Sequence, residues 1–250
     1  MKQGYSKPKA LLFDVFGTLV DWRGSLIRQL RAFGEARGLD QVDWPGLADA
    51  WRGRYAPSMD EVRSGRRAWT VLDDLHRESL LALLPKFGLE QRLEEEEIEG
   101  LVRGWHRLDP WPDVSGGLAR LHERFLLAPL SNGNVALMAN LKRHAKLPWD
   151  CILGAELARH YKPDPEVYLT AMALLRLAPQ EVMMVAAHND DLAQAQALGM
   201  QTAFVPRPTE HGPNQTTDLA ADGAWDFVVA STEELADRLC DNGEVDLLRG

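Results

Sequence analysis

The sequence predicts an α/β protein: a doubly wound parallel sheet carrying one helical insertion. Three observations support this. Short apolar runs bounded by Gly, Pro, Asn, Asp or His recur along the chain, as buried parallel strands do. Helical patterns separate most of these runs, which is the mark of βαβ units. One long stretch, 22–109, breaks the alternation and is almost free of strand-like runs. The 250 residues, 45% hydrophobic and 26% charged, sit near the globular average and suffice to bury a core without staples.

Taken in order, the first strand candidate is ALLFDVF (10–16), preceded by MKQGYSKPKA, which is too polar for a signal peptide. The insertion follows. Its amphipathic patterns include SLIRQLRAFGEARG and TVLDDLHRESLLALLPKFG, and its acidic run Glu94 to Glu97 suits a solvated helix face. Five of the eight tryptophans, Trp22, Trp44, Trp51, Trp69 and Trp105, fall here, mostly as packing residues. The sheet domain resumes near Pro110, so residues 8–21 and 110–250 form one unit and 22–109 the other. GGLARLHER then leads into the strand FLLAPL (125–130), and VALMANLKRHAKL leads to CILGA (151–155). PEVYLTAMALLRL precedes EVMMVAA (181–187), LAQAQALG precedes QTAFV (201–205), and WDFVV (225–229) is the last strand candidate.

Composition also bounds the partners. A net charge of -9 argues against nucleic acid or an anionic membrane, while a small anionic substrate remains compatible through local cations. No stretch approaches the ~20 apolar residues that span a bilayer, so a cytoplasmic location is expected. Cys151 and Cys240 lie far apart, without a CxxC or Cys/His pattern, and read as free structural thiols.

In an open parallel sheet, ligands collect outside the carboxyl ends of the strands. Asp14, Ser131-Asn132, Lys162 and the His188 to Asp191 group are the polar residues at those ends. A carboxylate in an apolar strand is costly unless paired, and Lys162 can supply the cation for Asp14. Each residue has a plainer reading as well. Asp14 could cap the next turn, and Lys162 could be a surface lysine. Ser131, Asn132 and Asp191 could be turn or helix caps. His188 could be structural, and Arg52 an exposed helix arginine.

FDVFGTLVDW, LSNGN, YKPDPEVY and a final acidic loop, in this order, resemble the four motifs of the haloacid dehalogenase superfamily. More narrowly, the chain is similar to the type II L-2-haloacid dehalogenases. The resemblance implies a Rossmann-like core with a helical cap inserted after the first strand. It implies that Asp14 is the nucleophile, positioned by Thr18 and kept ionised by Lys162, with Tyr168 matching an active-site tyrosine. Ser131 then receives the substrate carboxylate, while Arg52 of the Trp51-Arg52 pair, with Asn132, receives the halide. A homodimer is common in that family.

Most superfamily members are Mg²⁺-dependent phosphotransferases, with a second Asp in the first motif as general acid. Here that position is Phe16. Counting back from Gly199 aligns Asp191 with the second acid of the last motif and Ala187 with the first. Asp14 and Asp191, with Asp190 beside them, alone remain as carboxylate ligands for an ion that wants near-octahedral geometry. A halide needs neither a general acid nor a metal to leave. The expectation is therefore a hydrolase without metal or other cofactor. It converts short 2-haloalkanoic acids to 2-hydroxy acids through an aspartyl ester, with fluoroacetate left open as a substrate. A small-molecule phosphohydrolase and a catalytically idle carboxylate-binding protein are the alternatives. Ala186 and His188 stand where the resembled pattern has Ser and Asn, which leaves His188, with Asp191, open as a handler of the hydrolytic water.

Overall fold

The computed structural model describes residues 7–241. The first six residues of the polar N-terminal stretch, and positions 242–250 of the expected sheet domain, lie outside the described residues. Six strands form one sheet: β1 (Ala10–Phe13), β4 (Leu126–Ser131), β5 (Leu153–Gly154), β6 (Val182–Ala186), β7 (Gln201–Phe204) and β8 (Phe227–Val228). Their spatial order is β5-β4-β1-β6-β7-β8, and every pair is parallel. The expected α/β class with a parallel core is what the chain adopts.

Apolar side chains on both faces explain why β1 lies at the centre. Leu11 and Phe13 pack into one core cluster, Ala10 and Leu12 into the other, and all four are fully buried. This is the period-two alternation of a strand covered on both sides. Burying a Leu or Phe side chain contributes roughly 1.5–3 kcal/mol. The strand stops at Phe13, short of the run 10–16. Asp14 is therefore the first residue beyond it, with its N–H donating to the Val185 carbonyl at 3.0 Å.

Between β2 (Val20–Asp21) and β3 (Asp109–Pro110), which pair antiparallel, the chain builds only helices. These are α1 (Trp22–Ala36), α2 (Trp44–Gly53), α3 (Tyr55–Arg63), α4 (Leu72–Leu83) and α5 (Glu95–Val102), with short 3-10 turns. Asp21 and Asp43 start α1 and α2 by accepting the N–H groups of Gly24 and Gly46. The acidic run opens α5, where Glu97 accepts the Glu94 N–H and the carboxylates favour the helix N-terminus. Trp22, Trp44, Trp51 and Trp105 are buried, in the same apolar cluster as Leu11 and Phe13.

The remaining helices connect sheet strands. They are α6 (Val114–His122), α7 (Val135–Ala145), the short α8 (Ala155–Ala158), α9 (Pro165–Leu175) and α10 (Asn189–Ala197). A last short helix, α11 (Thr232–Ala236), follows β8. Proline at the first position of α9 fits its fixed φ and missing N–H. Among the described residues, no helix is long and apolar enough to cross a membrane.

Candidate active site

The carboxyl ends of β1, β4 and β6 open into a cavity of about 740 Å³, roofed by α2 and α3. Asp14 is on its wall, 7% exposed, and three side chains hold its carboxylate. Lys162 Nζ lies 2.9 Å from Oδ1, Thr18 Oγ1 donates to Oδ2 at 2.7 Å, and His188 Nδ1 lies 3.2 Å from Oδ2. Burial alone would raise this carboxyl. The Lys162 charge, the His188 contact and the Thr18 hydroxyl outweigh burial and hold it well below its usual range.

Lys162 is shared. Its Nζ also donates to Asp191 Oδ2 at 2.5 Å, and the two carboxylates overcome burial to push its pKa up. Asp191 is the third residue of α10 rather than its cap. Its Oδ1 accepts the Tyr168 hydroxyl, so both of its oxygens are engaged. Burial and the Asp14 charge raise Asp191 against the pull of Lys162. Thr18 also accepts the Ala187 N–H at 2.8 Å, tying the first motif to the end of β6.

Asn132 reaches the cavity, and its Oδ1 accepts the Lys162 N–H at 2.7 Å. Ser131 does not line the cavity. It is fully buried, and its Oγ accepts the Gly133 N–H at 3.1 Å. Arg52 extends from α2, with its guanidinium carbon 3.9 Å from the Tyr55 ring centroid and 5.3 Å from that of Trp22. Its Nη1 is buried and has no hydrogen-bond partner, an expensive state for a charged donor. Phe16 lies on the cavity wall, edge-on to Tyr55 and Trp105.

Tyr55 and Glu210 escape sequence reasoning. Tyr55 is in the cavity wall under Arg52, and burial pushes its hydroxyl pKa up. Glu210, in the long connection between β7 and β8, is 1% exposed. Its Oε2 is 2.8 Å from His188 Nε2, and its Oε1 accepts the Trp22 indole N–H at 3.0 Å. Burial raises Glu210, but the His188 and Arg52 charges bring it below its usual range. His188 thus has a carboxylate at each ring nitrogen, and their charges, against the penalty of burial, lift its pKa well above 6.5. The one local hint of Glu210 is Gly17. At a φ of +86°, a Cβ there would lie 2.1 Å from Glu210 Oε1.

Residues 8–199 match the haloacid dehalogenase-like hydrolase family. The fold superposes on a crystal structure of an L-2-haloacid dehalogenase with a TM-score of 0.91 and 51% identity, covering 94% of this chain and 99% of that one. A defluorinating L-2-haloacid dehalogenase gives 0.90 and 45%, over 93% of this chain and 95% of that one. The curated (S)-2-haloacid dehalogenase 1 of Pseudomonas sp. (strain CBS-3) is 30% identical over 205 residues, 80% of this chain and 85% of the relative. With its nucleophile motif, parallel core and helical insertion, the chain belongs to the haloacid dehalogenase-like hydrolases.

Proposed function

We propose that the enzyme hydrolyses short 2-haloalkanoic acids to 2-hydroxy acids through an ester on Asp14. The observation that carries this reading is a carboxylate held ionised by Lys162 and Thr18 in a cavity that Arg52 also lines, with its Nη1 buried and without a hydrogen-bond partner. The arrangement suits displacement of an anion that needs no proton. Phe16 offers no general acid to an alkoxide, and Ala187 offers no side-chain oxygen to Mg²⁺.

In this reading Asp14 attacks C2 from the face opposite the halogen, and the configuration there inverts. The halide leaves toward Arg52 and Asn132, donors pre-aimed at developing charge. Ser131 acts indirectly, by fixing the turn that presents Asn132. Residues 22–109 serve as the cap, excluding bulk water from a core made of 8–21 and 110–250. Fluoroacetate belongs to the proposed range, since a relative at 45% identity is a defluorinating enzyme. His188 supplies no extra donor for fluoride, because both its ring nitrogens face carboxylates.

Chloride release from 2-chloropropionate, measured with and without EDTA, tests the reading. Turnover is expected to survive chelation and to fall by roughly four to six orders of magnitude in Asp14→Asn, as when a nucleophile is removed. A single turnover in H₂¹⁸O should label Asp14 and not the product hydroxyl. Label in the product hydroxyl would mean direct attack by water. Phosphate release that depends on Mg²⁺ would point to a phosphohydrolase instead.

A further inference from the structure

Glu210 comes from outside every motif, yet it is one of the most constrained side chains at the site. Its connection is pinned at the start by Arg207, which donates to the Thr18 carbonyl at 3.0 Å and grips Asp113 with both terminal nitrogens. Gly17 leaves room for the carboxylate, and the Trp22 indole fixes one of its oxygens. The other oxygen meets His188 Nε2, and the opposite ring nitrogen faces Asp14. Arg52 is 3.9 Å away, close enough for charge but too far for a hydrogen bond.

We propose that Glu210 is a positioning residue for ester hydrolysis: it holds the His188 Nε2–H so that Nδ1 can take a proton from the attacking water. This rests on the Asp14 ester of the proposed function. Asp191, the other residue open for handling the water, has both oxygens occupied by Lys162 and Tyr168. His188 Nδ1 points instead at the carboxylate that becomes the ester. The carboxylate–imidazole pair has the same relation as in a serine hydrolase triad, where the acid fixes the tautomer.

Ester formation itself readies the base. In the resting enzyme His188 lies between Asp14 and Glu210, with Lys162 beyond Asp14 and Arg52 and His211 around Glu210. The two carboxylates keep it an imidazolium, which cannot accept a proton. Alkylation neutralises Asp14 and removes one of them, while burial and the neighbouring cations still oppose the charge. His188 then loses its Nδ1 proton to solvent, the one proton that the net reaction must release. Water next adds to the Asp14 carbonyl carbon and gives a proton to Nδ1. The bond from that carbon to the ester oxygen breaks, and the added hydroxyl passes its proton to the departing alkoxide. The 2-hydroxy acid, the Asp14 carboxylate and the His188 imidazolium are all restored.

Rapid-quench halide release, with intact mass of the Asp14 peptide, tests this in Glu210→Gln. The variant should release one halide per site at nearly the wild-type rate, then turn over roughly 10²–10⁴-fold more slowly, the usual contribution of a general base. Chloroacetate should leave a carboxymethyl adduct on Asp14, and the burst itself would certify a folded site. The rising limb of hydrolysis against pH should move to lower pH, since a charge that raises His188 is gone. Wild-type hydrolysis in Glu210→Gln, or loss of the burst in a folded protein, would overturn the proposal. If the variant does not fold, Glu210→Asp decides: a kept burst with slowed hydrolysis supports the role, and unchanged hydrolysis rejects it. Failure of the ester reading is separable, because wild-type Asp14 would then take up no ¹⁸O.

Discussion

Asp14 stands between two cations, and each of them stands between two carboxylates. On one side Lys162 joins Asp14 to Asp191, at 2.9 and 2.5 Å. On the other, His188 joins Asp14 to Glu210, at 3.2 and 2.8 Å. The charges alternate along the row, but the two cations differ in what they can do. Lys162 starts from an ordinary value of 10.5 and is pushed up from there, so it stays charged throughout the working range. His188 starts from 6.5 and is charged because of its neighbours. The Lys162 side is a permanent counterion for Asp14. In the proposed cycle the His188 side changes state when Asp14 is esterified.

Removing each cation in turn breaks this comparison most sharply. Lys162→Met leaves two buried carboxylates without their shared partner, and breaking a buried pair costs about 3–5 kcal/mol. We expect a matching drop in unfolding free energy by urea titration, together with loss of the halide burst. His188→Gln should keep the burst and accumulate the Asp14 ester. Identical kinetics in the two variants would erase the distinction between a fixed and a switchable cation.

Arg52 tests the far wall of the cavity. Losing one donor to a developing anion costs about 2.7–4 kcal/mol, roughly two to three decades in rate. Arg52→Ala should therefore slow the burst by that factor, and losing the stacking on Tyr55 and Trp22 should cost stability as well, about 0.5–2 kcal/mol per contact. Arg52→Lys should recover only part, since an ammonium cannot reproduce the planar fork. A burst of wild-type rate in Arg52→Ala would remove the residue from halide release.

The same two sides differ in how far the sequence discloses them. Asp14 and Asp191 follow from strand ends, because a parallel sheet brings those ends to one edge, whereas Lys162 lies in the connection between α8 and α9, eight residues beyond β5, and is legible from motif order alone. The insertion is legible too, since its helical periods interrupt the alternation. Glu210 is not. It lies 188 positions from Trp22, and its place depends on Arg207 gripping Thr18 and Asp113. Such contacts leave no period in the chain, and RPTEHGP reads as a solvated loop. Tyr55 is hidden for a similar reason, because helix packing decides which face of α3 meets the cavity. Ser131 differs in another way: a hydroxyl at a strand end looks exposed in the sequence, but the structure buries it, with Oγ accepting the Gly133 N–H of the local turn.

A second buried histidine sharpens the contrast at a smaller scale. His76 of α4 stacks on Trp105 at 4.3 Å between ring centroids, and neither ring nitrogen has a partner. Burial, with the Arg52 charge adding to it and Asp73 opposing, lowers its pKa to about 3. A depressed value means that stability is present above the unfolded pKa, 6.5, and is lost as pH falls toward 3. His188 has the opposite sign: its contribution is complete below 6.5 and is lost as pH rises through its elevated folded value. His76→Phe should change stability at pH 7 by no more than about 1 kcal/mol, since a neutral ring replaces a neutral ring in an aromatic setting. Below pH 6.5 the variant should gain on the wild type, by up to about 1.4 kcal/mol for each pH unit. Urea midpoints from about pH 7 to 4 measure the difference, in which the other titrating groups cancel. A difference that stays flat across that range would mean that His76 finds a proton acceptor on acidification. The two buried histidines would then not be opposites after all.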